Sequence, residues 1–445
     1  MFSRYLRVVE RGDVVAVFHA LRPVPAFLSK EDWECFRQSE DDEELRAWLR
    51  DQKLIVKTSR EDDEIRDEIA SETVRARSVS ILYLVLTKAC TFRCRQCFQY
   101  ERHKKDFPDL RPGLPMGETI ARLGIDAFAR HIQASDDDGS DRQVYFYGGE
   151  PLLNWSVLKE SVEYIEELQR QGMLPDLSLS IITNGSLVDD EKAMFFASRG
   201  IAVGLSVDGP REKNDAYRMR PDGSGTFDSI VRALDILKQH NVDVMLSITV
   251  NPNIVSDLPG VVRWAKEEMG VSSISFNLVG GRSYRYTLQE MPMDVYNREL
   301  AKGLVEAYDL AMSLGVHEDR VARKADDFAE HMFRSIDCGA VGNQLVVDPG
   351  GDISFCHASS AYTIGSVRDS EFLVFDHPEI LKWERALPLW NPRCQDCPAI
   401  AICGYGCFHH VLELGKPLEE GDEQFCLHTK AVMEYLLWQL YEHAR

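Results

Sequence analysis

Residues 80–97 read SILYLVLT followed directly by KACTFRCRQC, an apolar run that passes without a break into a loop carrying Cys90, Cys94 and Cys97. A short, nearly continuous apolar run bounded by polar residues predicts a strand buried on both faces. Five more such runs follow: QVYFYG (143–148), LSLSIITN (177–184), IAVGLSVD (201–208), VDVMLSIT (242–249) and SISFNLV (273–279). Helical apolar periodicity lies between them, over 155–171, 189–198, 227–238 and 258–268. Strands alternating with helices predict an α/β fold with a parallel sheet, either a partial (β/α)6 TIM-like barrel or an open sheet. Both architectures collect ligands at the carboxyl ends of the strands, and the cysteine loop sits at such an end.

Three cysteines spaced C-x3-C-x2-C can turn their thiolates toward one centre, and soft thiolates select zinc or iron–sulfur over hard cations. Spacing alone leaves two readings open. One is a cubane whose fourth iron lacks a protein ligand, so that a small molecule chelates there. The other is a zinc ion with its fourth ligand elsewhere. Other strand ends are unusual as well. The second runs into GGEP, where Gly148 and Gly149 permit a tight backbone approach and Glu150 can accept from a cationic amine. TNGSL (183–187) ends the third, and LSVDGPREKNDAYR (205–218) ends the fourth.

The whole chain has 445 residues, with 51 Lys and Arg against 72 Asp and Glu and a net charge of −21. That balance argues against nucleic acid or an anionic membrane as the main partner. The first residues, MFSRYLRVVERGDVV, lack the apolar core of a signal peptide, and no run reaches the length of a membrane span, so a cytoplasmic location is expected. In a reducing compartment the eleven cysteines point to metal sites rather than disulfides. Only Cys35 stands apart from the others, and it is expected in the core of the first domain.

Residues 1–57 read as a small module. YLRVVE and VVAVFHAL are strand-like runs joined at Arg11-Gly12-Asp13, Ser29 caps a helix over 31–37, a second helix covers 43–50, and LIVK closes as a strand. That order is winged-helix-like. Residues 58–78 are charged and suit a linker or surface helix. The βα array then occupies 79–315, ending in a helix over 292–315. The remaining 316–445 is cysteine-rich, with short strands around QLVVDPGGDISFC and a final helix over 429–441.

The motif LTKACTFRCRQCF resembles the cluster-binding loop of radical S-adenosylmethionine (SAM) enzymes. The resemblance implies that Cys90, Cys94 and Cys97 hold a [4Fe–4S] cluster whose open iron chelates SAM. One-electron reduction of SAM there releases a 5′-deoxyadenosyl radical. One residue departs from the pattern: the family places an aromatic before the third cysteine, and this chain has Gln96, with Phe98 a candidate to supply the packing. YFYGGEPLLN is similar to the family's GGEP segment, which implies that Gly148, Gly149, Glu150 and Pro151 hold the SAM amino group. By the same resemblance Asn184, Ser206 and Arg218 are SAM contacts, Ser206 for the ribose or carboxylate and Arg218 for the carboxylate.

The downstream cysteines, Cys338, Gly351-x4-Cys356, Cys394-x2-Cys397-x5-Cys403-x3-Cys407 and Cys426, are similar to the SPASM domain of peptide- and protein-modifying radical SAM enzymes. The resemblance implies two auxiliary [4Fe–4S] clusters, Cys338, Cys356 and Cys407 serving the first and Cys394, Cys397, Cys403 and Cys426 the second. Upstream of Cys338 the stretch HMFRSID lacks the extra cysteine of some relatives, which leaves an open iron or a ligand such as His331. Sulfatase-maturing relatives place an Asp directly after the cysteine that here is Cys356; this chain has His357, a candidate base. The N-terminal module looks like a precursor-recognition element that adds a leader peptide as a strand. The expected function is therefore oxidative maturation of a ribosomally made precursor peptide, by abstraction of hydrogen and closure of a carbon–carbon, thioether or ether crosslink. The auxiliary clusters would accept the electron, and flavodoxin or ferredoxin would donate the reducing one. Formylglycine formation in a sulfatase and a non-catalytic iron–sulfur or zinc scaffold are the alternatives.

Overall fold

The computed structural model of the chain describes residues 1–39, 42–73, 78–97, 115–135, 141–280, 289–358, 362–375 and 377–444. It opens with an antiparallel meander, β1 (Leu6–Arg11), β2 (Val14–His19) and β3 (Arg22–Ser29), followed by α1 (Lys30–Ser39), α2 (Glu43–Asp51) and α3 (Ser59–Thr73). The order differs from the expected one in two places. β3 is an additional strand, hidden in the sequence by Pro23 and Pro25; it pairs only with β2, so prolines two apart present their missing N–H groups to the open edge. LIVK does not close as a strand, because Lys53 is left-handed (φ 58°) and only a single bridge, Phe2 with Ile55, follows. Cys35 is exposed rather than in the core, since α1 buries Trp33 and Phe36 on its opposite face. The stretch expected as a linker or surface helix holds the helix α3, tied inward by Ile65, Ile69 and a buried Asp62 that accepts from Ser3 Oγ at 2.5 Å.

The central array runs β4 (Ile81–Thr87), α4 (Glu118–Ala134), β5 (Gln143–Gly148), α5 (Trp155–Arg170), β6 (Ser178–Thr183), α6 (Asp190–Arg199), β7 (Ala202–Ser206), α7 (Arg211–Tyr217), α8 (Phe227–Gln239), β8 (Val244–Val250), α9 (Leu258–Glu267) and β9 (Ser273–Leu278). Then come α10 (Met293–Leu314), a short β10 (His317–Glu318) and α11 (Asp319–Ala329). Strands β4 to β10 are all parallel neighbours in sequence order. All six expected strands are present. Their apolar residues pack against the helices in one continuous core.

The cysteine-rich part grows out of the same sheet. β11 (Gln344–Val347) lies parallel to β4, and β12 (Asp352–Ser354) and β13 (Thr363–Ser366) add on as antiparallel strands. Three helices complete the chain: α12 (Pro378–Glu384), α13 (Phe408–Glu413) and α14 (Glu423–His443). The ten-stranded sheet is open, ending on β10 and β13, as in a partial TIM-like barrel that does not close. Among the described residues no helix is long and apolar enough to cross a membrane.

Candidate active site

The loop after β4 is clamped by the loop after β5. Gly149 N donates to Thr87 O at 2.9 Å and Glu150 N to Ala89 O at 2.8 Å. Gly148 has φ +140°, and a Cβ on Gly148 or Gly149 would stand 2.2 Å from the Thr87 or Ala89 carbonyl oxygen, so only glycine permits this approach. Pro151 opens a tight turn, Pro151–Asn154, and Asn154 Nδ2 reaches back to Leu86 O (3.0 Å) and Met116 O (2.9 Å). Glu150, fully buried, accepts from Leu152 N (3.1 Å), Thr183 Oγ1 (2.8 Å) and Asn184 N (2.9 Å). Burial pushes its carboxyl up to about 7. A carboxylate offers about four acceptor positions, so these bonds leave room for one further donor such as an amine. Asn184 Nδ2 in turn donates to Thr91 Oγ1 (3.0 Å) and faces Cys90 Sγ at 3.6 Å. The ends of β4, β5 and β6 thus converge on the triad loop.

The end of β7 closes the other side. Asp208, two residues past Ser206, is fully buried and accepts from Gln96 Nε2, Arg218 Nη2 (2.9 Å) and Thr249 N (2.9 Å). Arg218 Nε stands 2.9 Å from the same carboxylate. Burial opposes the guanidinium's charge, but Asp208 together with the thiols of Cys94 and Cys97 outweighs it and raises the pKa. Gln96, the residue out of family pattern, therefore has a partner of its own. Phe98, the expected substitute for packing, lies outside the described residues. Ser206 is half-buried at the end of β7, in register with Ser247. Arg93 N and Arg95 N donate to Met219 O and Tyr217 O, at 2.7 and 2.9 Å, fixing the loop against the Arg218 segment.

Ten cysteines sort into three neighbourhoods by which thiols act electrostatically on one another. Cys90, Cys94 and Cys97 form one. Cys338, Cys356 and Cys407 form the second, and Cys394, Cys397, Cys403 and Cys426 the third. Among the described residues no three side chains converge tightly enough to grip one bare ion, so this is proximity rather than ligation. Burial pushes thiols of all three groups up, to about 11 at Cys90 and Cys426 and about 12 at Cys94, Cys356, Cys394 and Cys403. None is in a disulfide. Grouped thiols, with Cys356 and Cys403 buried among them, fit a soft, positively charged centre that takes them as thiolates.

His357 lies against two tyrosines of the array, its ring 5.0 Å from Tyr83 and 4.9 Å from Tyr147. Burial pushes its pKa down to about 4. Burial, with the thiols of Cys97 and Cys356, raises the Tyr147 phenol, so Tyr147 neighbours both the first and the second cysteine group. His331 is exposed just past α11, in a left-handed conformation (φ 55°). Sequence reasoning missed Thr183, Asp208, Tyr83, Tyr147 and Lys324. Asp208 had a legible signal, a carboxylate directly after an apolar strand end; the tyrosines look like ordinary strand residues.

The profile of the radical SAM superfamily matches residues 84–265. Those residues carry a radical SAM domain. The chain is 21% identical over 349 residues to the radical SAM cyclopropyl synthase TigE of Paramaledivibacter caminithermalis, covering 74% of this chain and 68% of TigE. It is 25% identical over 349 residues to a cysteine-type anaerobic sulfatase-maturating enzyme of Clostridium perfringens, covering 74% and 88%. Its fold is similar to native anSMEcpe with bound AdoMet, with TM-score 0.64, 19% identity and coverage of 82% of this chain and 99% of that one. It is also similar to Streptococcus suis SuiB bound to precursor peptide SuiA, with TM-score 0.51, 14% identity and coverage of 94% and 97%. The C-terminal part shares the SPASM-type architecture of these structures.

Proposed function

We propose that this enzyme matures a ribosomally made peptide by closing an intramolecular crosslink. The observation that carries the reading is the sorting of ten cysteines into three groups, the second group meeting the array through His357 and the Tyr83–Tyr147 face. Cys90, Cys94 and Cys97 would hold the SAM-binding cluster, and the other two groups the auxiliary clusters. When bound, SAM and its cluster supply a 5′-deoxyadenosyl radical, and the auxiliary clusters an acceptor for one electron. The chain's own residues do the positioning. Gly148 and Gly149 bring backbone to the triad loop, Glu150 offers its remaining acceptor position to the SAM amine, and Asn184 steadies Cys90 and Thr91. Ser206 and Arg218 would serve the ribose and carboxylate.

The substrate loses two hydrogens overall, one as a hydrogen atom and one as a proton whose electron leaves separately, as a new bond closes. Likeness to SuiB over 94% of the chain favours a peptide bearing a leader that engages residues 1–57. The sulfatase-maturating relative keeps formylglycine formation as the second reading. Against it stands His357, held neutral by burial where those enzymes place an Asp. The test is anaerobic turnover with SAM, a reductant and the short peptide encoded beside the gene. A product lighter by two hydrogens, with a ring and no aldehyde, supports crosslinking; an aldehyde captured by a hydrazide overturns it.

A further inference from the structure

Helix α11 stands between the second and third cysteine groups and carries three cations, Arg320, Arg323 and Lys324, toward them. Lys324 is completely buried. Its Nζ donates to Ile402 O (3.0 Å) and Cys403 O (3.3 Å), sits 3.4 Å from Asp337 Oδ1, and lies 4.6 Å from the centre of the Phe425 ring. Asp337 directly precedes Cys338 and also takes Arg323 Nη2 at 3.2 Å. Burial works the other way, yet Lys324 and Arg323, with Arg320 and Arg334 beyond them, hold that carboxyl well below the usual range. One carboxylate thus serves two ammonium or guanidinium groups directly and faces two more. A buried cation without matching negative charge is costly. Lys324 therefore bridges the backbone of Cys403 in the third group and the residue before Cys338 in the second, while Arg334 has a carboxylate of its own in Asp327.

We propose that Lys324 is a positioning residue for charge, the shared cation that raises the reduction potentials of both auxiliary clusters and makes them the better electron acceptors of the molecule. The inference rests on the reading that the second and third cysteine groups hold those clusters. Each electron added to an iron–sulfur cluster adds negative charge, so a fixed neighbouring cation favours the reduced state. Asp337 partly cancels that cation and ties its effect to Cys338.

The test uses the full chain with Cys90, Cys94 and Cys97 changed to Ala, reconstituted anaerobically so that its iron and its electron paramagnetic resonance come from the auxiliary clusters. Midpoints are followed by potentiometry. Lys324→Met should move the auxiliary midpoints to more negative potential at unchanged iron content, and Lys324→Arg should restore them. Asp337→Asn, which uncovers the cations, should move them to more positive potential. Midpoints that stay at the parent value in Lys324→Met or in Asp337→Asn, with iron retained, overturn the inference. A parent protein with neither auxiliary iron nor signal overturns the cluster reading itself, and this one with it.

Discussion

At Gly149 a single added carbon would meet Ala89 O at 2.2 Å and Ala89 C at 2.7 Å, both backbone atoms that no side-chain rotation can move aside. Gly149→Ala should therefore push the triad loop off the GGE turn. A displacement of about 1 Å at a reacting centre is worth roughly a hundredfold in rate, so 5′-deoxyadenosine release should fall by about that factor, measured chromatographically under reducing conditions. Wild-type rates in the variant would mean that the clamp between Gly149 N and Thr87 O is unimportant for the loop. Asp208 is sensitive for an electrostatic reason. Asp208→Asn leaves Arg218 charged, buried and half-matched, which should cost roughly 3–5 kcal/mol in denaturant unfolding. Gln96→Leu removes only one donor to that carboxylate and should cost about 1–3 kcal/mol. Equal losses would place the weight on packing instead of charge. Gln96 was visible in the sequence as a departure from the family pattern, but its partner lies 112 positions away, a distance no local signal spans.

The elements of the array were legible because each parallel strand is buried on both faces and so reads as an apolar run, and each helix carries a single apolar stripe. The N-terminal meander was harder, because Pro23 and Pro25 disguise β3, and only its edge position makes them tolerable. β10 has two residues and no pattern to detect. Within the meander, β2 contributes a titratable group to the interior. His19 is buried 5.4 Å from the Tyr5 ring, and its Nδ1 accepts from Leu21 N at 3.3 Å, which requires a neutral ring. Burial lowers its pKa from 6.5 to about 4. A depressed folded value means stability that is complete above pH 6.5 and is lost as pH falls toward 4. The difference amounts to about 3 kcal/mol. Amide exchange in β1–β3 should accelerate over that window, and His19→Gln should flatten the dependence. Equal protection of wild-type β1–β3 at pH 4.5 and 7 would show that His19 does not govern the module's acid stability.

At the scale of the whole molecule the sequence divides into a module, an array and a cysteine-rich tail, and the structure binds the first to the last. Boundaries read from composition could not reveal this, since the contacts join residues almost 400 positions apart. Tyr5 Oη donates to Gln395 Oε1 at 2.9 Å, and Arg7 donates to Gln395 O while facing Asp396 at 3.7 Å. Tyr5, Ile65 and Ile69 share an apolar cluster with Leu389 and Ile400, against which Cys394 and Cys397 also pack. Phe27 of β3 meets Tyr441 of α14 at 5.1 Å. The module is thus docked on the loop of the third cysteine group, so whatever orders the meander also steadies that loop. Tyr5→Ala, which empties a fully buried aromatic site, should cost about 3–5 kcal/mol. It should also speed hydrogen exchange over 389–402, although that segment begins hundreds of residues downstream. Arg60→Ala, which removes the exposed 3.1 Å pair with Glu64, should cost less than about 1 kcal/mol and leave 389–402 unchanged. If Tyr5→Ala loosened β1–β3 alone, the module would be a separate unit, and a peptide bound to it could not reach the third cysteine group through this contact.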